Sequence, residues 1–387
     1  MVKAIKVMLI PNNVQKTKMF QYAGASRFAY NWALAREIEN YEKGGKFLSD
    51  AELRKEFTKL RHSDEYAWLL SISNNVTKQA IKDACTAYKN FFKGLQKFPR
   101  FKSKKRSMPK FYQDNVKIQF SNTHVKFEGF SSSRKANKQK KNWVRLAEHG
   151  RIPTDVKYMN PRISFDGLNW WISVCVEFPD CRETLNDDGV GIDLGIKDLA
   201  ICSDGTKYKN INKSQKVKKL EKQKRRLQRS ISRSYEKNKK GESYCKTNNV
   251  IKKEKLLLKR NHRLTNIRKN YLNQTISEII NRKPRFICIE DLNVSGMMKN
   301  RHLSKAVQEQ GFFWFRKQLE YKCSDKGIQL IVADRFYPSS KLCSCCGNIK
   351  KDLKLSDRVY RCACGNMIDR DFQASINLKT YGEKFAS

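Results

Sequence analysis

The spacing of apolar residues predicts strands and helices in the first half of the chain. Residues 2–10 alternate between apolar and polar positions, as a half-buried β-strand does. Apolar residues then recur at helical spacing over 20–34 and again over 69–92. Short alternating segments at 116–120, 124–127, 143–146, 162–165 and 170–178 predict an antiparallel barrel or sandwich that includes the first strand. We therefore expect a β-barrel and an inserted helical lobe in this half, formed by 1–12 with 106–186 and by 13–105.

The second half of the chain has a different order of elements. In chain order, the pattern predicts strands at 190–195, 199–203 and 207–210, helices at 213–236 and 248–281, a strand at 285–290, a helix at 303–326, a strand at 328–333 and a helix from about 371. Three strands followed by alternating helices and strands is the order of an RNase H-like fold. We therefore expect a multidomain α+β protein whose RNase H-like α/β domain is interrupted by a cysteine-rich insertion, with the domain formed by 187–337 and 368–387 and the insertion by 338–367.

The balance of charge indicates a polyanionic partner. The 387 residues include 80 Lys and Arg but 38 Asp and Glu, which gives a formal net charge of +42 spread over most of the length. Each phosphate that such a surface neutralises releases a counterion, which makes nucleic-acid binding tight and strongly salt-dependent. Solubility alone needs a net charge of only about 2–8 in a small domain. We therefore expect nucleic acid as the partner.

An anionic membrane surface is the main alternative partner. The chain has no 18-residue apolar run and no lipidation motif. Its N-terminus has no continuous apolar core followed by a small-residue cleavage site. We therefore expect no membrane association and a cytoplasmic location.

Three carboxylates occupy the positions at which an RNase H-like fold performs its chemistry. Asp193 lies in the first strand of that domain, Glu290 ends the fourth, and Asp369 precedes the last helix. An unpaired charge in an apolar strand is costly unless a cation or hydrogen bonds offset it. Two Mg²⁺ ions about 3.5–4 Å apart, with Mn²⁺ as an alternative, would suit such a set and catalyse phosphodiester hydrolysis. Asp371 is the alternative third ligand; we favour Asp369, with Asp371 as the helix N-cap or a supporting residue.

Five of the twelve cysteines fall in one short segment and predict a metal site. Cys343 and Cys346 have the C-x₂-C spacing, and Cys362 and Cys364 follow with one residue between them. Four thiolates about 2.3 Å from a tetrahedral Zn²⁺ leave no open position, so the expected role of the single zinc ion is structural. Cys345 is not expected to bind. The alternative for the clustered cysteines is a redox-active role. The other seven cysteines are scattered singly, as is typical of buried thiols in a reducing compartment.

Two basic stretches are candidates for contact with nucleic acid. In 98–106, cations stand beside aromatic residues, a composition that suits phosphates and stacked bases, although a solvated linker is the alternative. A basic run at 222–226 lies on the first long helix of the second half, where the alternative is a merely solvated face. The candidate contact residues are Arg100, Lys102, Lys104, Lys105, Arg106, Lys224 and Arg225.

Four motifs give the chain its resemblance to TnpB, a family encoded by insertion sequences and ancestral to the miniature type V CRISPR nucleases. The motifs are Gly191-Ile-Asp-Leu-Gly-Ile-Lys, Ile289-Glu-Asp-Leu-Asn, Tyr337-Pro-Ser-Ser-Lys-Leu-Cys-Ser-Cys-Cys-Gly and Cys362-Ala-Cys-Gly-Asn-Met-Ile-Asp-Arg-Asp. The resemblance spans nearly the whole chain. It implies a wedge-type barrel, a helical recognition lobe, and a split RuvC-like nuclease with an inserted zinc ribbon that contacts target nucleic acid.

The resemblance also implies an activity and partners. A guide RNA made from the end of the mobile element would direct double-strand cleavage of DNA next to a short transposon-adjacent motif. Asp193, Glu290 and Asp369 would be the catalytic triad, and the four cysteines would bind zinc. A monomeric ribonucleoprotein near the nucleoid of a bacterium or archaeon is the favoured assembly and location.

Reading of the adjacent motif is expected from the recognition helix, where Asn75, Lys78 and Gln79 could contact base edges. A core-capping or solvated role is the alternative for each.

Two positions depart from the family pattern. Gln373-Ala-Ser replaces the usual Asn-Ala-Ala, and Asn270 and Asn273 replace an acidic residue and a histidine.

Two other functions remain open at this stage. A guided DNA-binding repressor would use the same partners without cutting, and a transposase would join strands with similar carboxylates. The sequence lacks the His-hydrophobe-His motif used by single-strand transposases, which disfavours the second alternative.

Overall fold

The structure is a computed structural model that describes residues 1–130, 142–179, 182–241, 243–354 and 356–386. The chain forms two compact units, Met1–Pro179 and Asp180–Ser387. None of the helices within these described ranges has the length and apolar character needed to cross a lipid bilayer.

The first unit contains one antiparallel sheet and a group of helices. Its strands are β1 (Val2–Ile10), β2 (Lys110–Tyr112), β3 (Gln119–Phe120), β4 (His124–Lys126), β5 (Trp143–Leu146), β6 (Tyr158–Phe165) and β7 (Trp170–Glu177). Its helices are α1 (Asn13–Glu42), α2 (Asp50–Arg61), a 3₁₀ helix (Asp64–Ser71) and α3 (Asn74–Phe92). One hydrophobic core includes Val7 of the sheet, Tyr22 of α1 and Ile81 of α3, so the helices pack against the sheet.

The prediction of a closed barrel is wrong for the described strands. The sheet has the order β2-β6-β7-β1-β5-β4-β3, and its edges β2 and β3 pair only with β6 and β4. The strand expected from Val116 begins at Gln119 because the Asp114 side chain accepts hydrogen bonds from the N–H groups of Val116 and Lys117. These bonds turn the backbone and leave two very short edge strands.

The second unit contains the predicted order of strands and helices. Its strands are β8 (Val190–Leu194), β9 (Asp198–Cys202), β10 (Lys207–Lys209), the short hairpin β11 (Lys239–Lys240) and β12 (Ser243–Tyr244), β13 (Phe286–Glu290), β14 (Gln329–Ala333), β15 (Val359–Arg361) and β16 (Met367–Asp369). Its helices are a 3₁₀ turn (Ile211–Lys213), α4 (Gln215–Lys237), α5 (Asn248–Asn281), α6 (Val294–Lys299), α7 (Ser304–Gln310), α8 (Phe312–Lys326) and α9 (Arg370–Glu383).

The main sheet of this unit has the order β10-β9-β8-β13-β14. Strands β8, β9 and β10 are antiparallel, whereas β8, β13 and β14 run parallel to one another. The single helix expected over 303–326 is two helices, because Gly311 has a φ of 71° and ends α7 in the left-handed region. The cysteine-rich segment lies between β14 and α9, where the insertion was expected, and contains a bridge between Leu342 and Ile349 and the β15–β16 hairpin.

Helix α9 lies directly on β8 and β13. A Cβ atom at Gly191 would come within 2.0 Å of the carbonyl oxygen of Ser375 and 2.4 Å of the amide nitrogen of Lys379. At the other end of the helix, a Cβ atom at Gly382 would lie 2.3 Å from the Phe286 ring. The two glycines therefore set how closely the last helix approaches the strands that carry Asp193 and Glu290.

Candidate active site and metal centre

Asp193 and Glu290 lie on neighbouring strands of the main sheet. Strands β8 and β13 are parallel, and Ile192 is aligned with Ile289. Each acid directly follows this aligned pair, near the carboxyl end of its strand, where ligands of open α/β sheets bind. The apolar residues that precede the acids are fully buried, so the sheet fixes both backbones and brings the two carboxylates together.

Burial and nearby negative charge make both carboxyl groups hard to ionise. Burial raises the pKa of Asp193 well above its usual range, and the negative charges of Glu290 and Asp371 raise it further. Burial also raises the pKa of Glu290; a hydrogen bond from the Ser339 hydroxyl opposes this shift and the charge of Asp371 adds to it. Adjacent buried carboxylates that resist ionisation favour a cation between them, and their oxygen atoms match the preference of Mg²⁺.

The third acid comes from the start of α9, where the two candidate residues have different surroundings. Asp369 is the N-cap of the helix, since its Oδ1 accepts hydrogen bonds from the N–H groups of Asp371 at 3.0 Å and Phe372 at 3.1 Å. Its Oδ2 lies 3.8 Å from Lys207 Nζ. The N-cap role that we expected of Asp371 therefore belongs to Asp369.

Asp371 lies in the first turn of α9 and acts on both strand carboxylates. Its charge raises the pKa of Asp193 and of Glu290, whereas Asp369 adds a smaller effect on Asp193. The carboxylate of Asp371 is 3.4 Å from the Arg370 guanidinium and 3.8 Å from that of Arg358. The effect of Asp371 on both Asp193 and Glu290 shows that its carboxylate lies near the two strand carboxylates.

Sequence reasoning assigned no role to three polar side chains that support the site. The Ser339 hydroxyl donates to Glu290. Asn377, which is buried in α9, donates to the carbonyl oxygens of Ser339 and Leu342 at 2.7 Å, and Gln373 donates to Leu342 at 2.8 Å. The available indication was that Ser339 belongs to the TnpB-like Tyr337-Pro-Ser-Ser-Lys segment; Gln373 and Asn377 follow the last motif, two and six residues after Asp371.

The four predicted zinc ligands form one cluster. The sulfur atoms of Cys343, Cys346, Cys362 and Cys364 all lie within 4.8 Å of one another. Two sulfur pairs are 3.7 Å and 3.5 Å apart, close to the spacing of about 3.8 Å expected around a tetrahedral ion with bonds of about 2.3 Å. Cys345 is exposed and outside the cluster. The cluster can therefore hold one tetrahedral metal ion.

The recognition-helix candidates already have partners within the first unit. The Asn75 amide donates to Glu128 at 3.2 Å, and the Gln79 amide donates to Asp83 at 2.9 Å. Lys78 lies on the same face of α3 and is exposed. These bonds orient the two amides, and each amide has a second N–H and a carbonyl oxygen that could face a base edge.

The basic segment after α3 is attached to α1 at Lys102. The backbone of Lys102 exchanges two hydrogen bonds of 2.8 Å with the Asn31 side chain, and its ammonium nitrogen lies 2.9 Å from the centroid of the Tyr30 ring. Burial and the positive charge of Lys110 lower the pKa of Lys102 to about 7. The four other predicted contact residues of this segment are exposed: Arg100, Lys104, Lys105 and Arg106.

The candidate pair on α4 borders a groove between the long helices and α7. Lys224 lies 3.7 Å from Glu221, while Arg225 is exposed. Both side chains line the groove together with Lys305 and Trp314. The arrangement combines cations with an aromatic face, as surfaces that bind single-stranded nucleic acid do.

Comparison with known proteins found relatives that cover nearly the whole length of the chain. Three family profiles match it: "Helix-turn-helix domain" over 1–46, "Probable transposase" over 173–301 and "Cas12f1-like, TNB domain" over 312–378. The protein named "Putative RNA-guided DNA endonuclease InsQ" from Escherichia coli K12 is 30% identical, with 93% of this chain and 87% of that protein covered. A "Putative RNA-guided DNA endonuclease" from Streptomyces pristinaespiralis is 28% identical, with 98% and 89% covered.

Solved structures resemble the chain in fold. A cryo-EM structure of a Cas12f1-sgRNA-target DNA complex matches with a TM-score of 0.60 at 12% identity and 98% coverage of both chains. The mini-RNA-guided endonuclease CRISPR-Cas_phi3 matches with a TM-score of 0.52 at 10% identity, covering 98% of this chain and 92% of that one. The full-length similarity to InsQ, together with the TnpB-like motifs, shows that the chain belongs to the TnpB family.

Proposed function

We propose that the protein is an RNA-guided DNA endonuclease of a mobile element, and that it cuts DNA by metal-dependent phosphodiester hydrolysis. One observation carries the proposal: Asp193 and Glu290 meet, buried, at the carboxyl ends of adjacent parallel strands in a chain related along its length to proteins named RNA-guided DNA endonucleases. The net charge of +42 supports binding of a guide RNA and double-stranded target DNA.

The proposed catalytic set is Asp193, Glu290 and one acid at the start of α9. We assign the third position to Asp371, because Asp369 already caps the helix and contacts Lys207. The three carboxylates would hold two Mg²⁺ ions. When bound, such a pair neutralises charge that develops on the attacking and leaving oxygens of an in-line phosphodiester displacement.

The other residues of the site would keep these oxygens in place. Ser339 donates a hydrogen bond to Glu290 and thereby fixes which carboxylate oxygen faces the site. Asn377 and Gln373 tie the segment of Ser339 to α9, so the third acid and the orientation of Glu290 depend on one hydrogen-bonded unit. Because metal sites depend on such supporting bonds, loss of one typically costs about 10–100-fold in activity.

The cysteine cluster is assigned to one structural Zn²⁺. Its sulfur atoms have tetrahedral spacing, and burial of Cys343, which would raise the pKa of its thiol, is outweighed by N–H donors from Cys346 and Asn366 that lower it to about 6. We infer that residues 338–367 are a zinc ribbon that keeps the start of α9 in register. For the rest of the chain we propose the domains expected from the sequence: the wedge domain, 1–12 with 106–186; the helical lobe, 13–105; and the nuclease domain, 187–337 with 368–387.

Cleavage of programmed DNA tests the proposal. The protein is purified with its co-expressed element, the bound RNA is sequenced, and the guide portion is then replaced to match a plasmid library with random flanking sequence. Linearised plasmid with a common flanking motif, dependent on Mg²⁺, is the expected result. Specific binding that leaves every plasmid intact would instead identify a guided repressor.

A further inference from the structure

A small groove lies directly beside Glu290. It has a volume of about 220 Å³, and its walls include Leu194, which directly follows Asp193, and Leu292, two residues after Glu290. Phe313 of α8 forms another wall, although its side chain is 63% exposed.

Two guanidinium groups line the same groove, and one carboxylate holds both. Asp291 accepts a hydrogen bond from Arg316 at 2.7 Å through Oδ1 and from Arg335 through Oδ2. Arg316 also donates through Nε to Glu320 at 3.1 Å. Each guanidinium has five N–H donors, so both still retain donors for a phosphate oxygen. Arg335 is half-exposed, with 50% of its side chain accessible.

We propose that this groove is the subsite for the nucleotide next to the scissile phosphate of the DNA strand being cut. Its base stacks on Phe313, and its phosphate contacts Arg316 and Arg335, which Asp291 positions. The inference rests on the proposed nuclease function and deepens it, because it places one nucleotide of the cut strand against named residues. Two observations favour this occupant. Arg316 and Arg335 in the lining can contact a phosphate, and Glu290 of the proposed catalytic set lines the same groove.

Kinetics of Phe313 variants test the subsite. The guide-loaded ribonucleoprotein is assayed on a short single-stranded target under single-turnover conditions with the protein in excess. Guide pairing holds the target, so Phe313→Ala should lower the cleavage rate constant about ten-fold, because the stacking that positions the nucleotide at the cut is lost. Phe313→Tyr keeps the ring face and should restore the rate to within about two-fold of wild type. Tyr321→Ala removes another exposed aromatic residue of α8 and is the matched control with an unchanged rate.

Crosslinking separates failure of the subsite from failure of the nuclease function. Targets carrying 5-iododeoxyuridine at successive positions are bound without Mg²⁺, irradiated, and mapped by mass spectrometry. Crosslinks at Phe313 from the nucleotide beside the cut support the proposal. An active wild-type enzyme with no such crosslink, or with Phe313→Ala kinetics equal to those of Tyr321→Ala, would overturn the subsite. If the wild type does not cut, the nuclease function fails and the crosslink alone decides whether DNA occupies the groove.

Discussion

Asp193 and Glu290 make the site electrostatically unfavourable in the absence of a cation. Burial and the neighbouring acids raise both pKa values, so ionising either group in the folded protein costs free energy. A carboxyl group whose pKa is higher in the folded than in the unfolded state stabilises the protein below its unfolded pKa of about 3.9, and this stabilisation is lost as pH rises through the folded value.

Asp193→Asn should therefore stabilise the metal-free protein at pH 8. The difference in Tm from wild type should be smallest near pH 3, below the unfolded pKa of about 3.9, where the Asp193 carboxyl is neutral in both states, and should grow as pH rises towards the folded value. Each kcal/mol corresponds to about 2–4 °C in a unit of this size. Calorimetry in EDTA measures the effect, and adding Mg²⁺ should stabilise only the wild type. The exposed Asp188→Asn variant is the control; equal Tm values for Asp193→Asn and wild type at pH 8 would contradict the account.

Paired variants at the start of α9 distinguish its two acids. Asp371→Asn should reduce single-turnover cleavage more than about 100-fold, because it removes a charged metal ligand. Asp369→Asn should stay within about ten-fold of wild type, since Asn caps a helix as well as Asp does. The opposite ranking of the two rates would return the third position to Asp369.

Close packing of α9 depends on Gly191. In Gly191→Ala, the new Cβ would lie 2.0 Å from the Ser375 carbonyl oxygen, and because that neighbour is backbone, the whole helix must shift. We expect a loss of about 1–3 kcal/mol in the free energy of unfolding and a larger fractional loss of cleavage. Gly24→Ala is the control: it lies within α1 with nothing within 4 Å of its Cβ, and should stabilise by up to about 1 kcal/mol. Unchanged stability of Gly191→Ala would show that α9 packs differently.

The cysteine segment offers its own matched control. Cys343→Ser should lower bound zinc well below one ion per chain and lower Tm, because metal binding contributes folding free energy. Cys345→Ser changes an exposed neighbour outside the cluster and should retain full zinc and an unchanged Tm. Metal analysis by mass spectrometry, with Tm from the same samples, checks both; full zinc in Cys343→Ser would refute the ligand set.

Individual elements show what sequence patterns can and cannot predict. Alternation correctly located β1, β5 and β7, and buried apolar runs located β8 and β13 with their terminal acids. Barrel closure depends on pairing between distant strands, which local alternation does not report. The start of β3, one edge of the sheet, depends on a local turn at Asp114. Periodicity continued across 303–326, and only the left-handed φ of Gly311 reveals the break.

The same contrast holds at the site. Asp193 and Glu290 were predictable because an acid at the end of a buried strand is unusual, and the four cysteines because their spacing is specific. In Asp369-Arg-Asp371 two acids stand two residues apart at one helix start, so the sequence alone cannot tell which one caps the helix. The end of β16 and the backbone angles at residue 369 decide that, and both depend on tertiary structure.

At the scale of the whole molecule, the net charge contributes to binding of nucleic acid and the carboxylate site to its cleavage. A net charge of +42 attracts any nucleic acid, so it contributes affinity and little discrimination. Base pairing with a guide RNA would supply the sequence specificity that the surface lacks, and the carboxylate site would act on whichever strand is displaced into it. Membership of the TnpB family is consistent with these separate roles of guide pairing and the carboxylate site.

Guide-directed cleavage by wild type and Asp193→Ala, measured side by side, tests this account most directly. Each ribonucleoprotein carries one of two guides and is offered both matching plasmids in Mg²⁺. We predict that wild type cuts only the plasmid matched to its guide, and that Asp193→Ala binds the same plasmid within a few-fold but leaves it intact. Cutting by Asp193→Ala, or wild-type cutting that ignores the guide, would contradict the central claim.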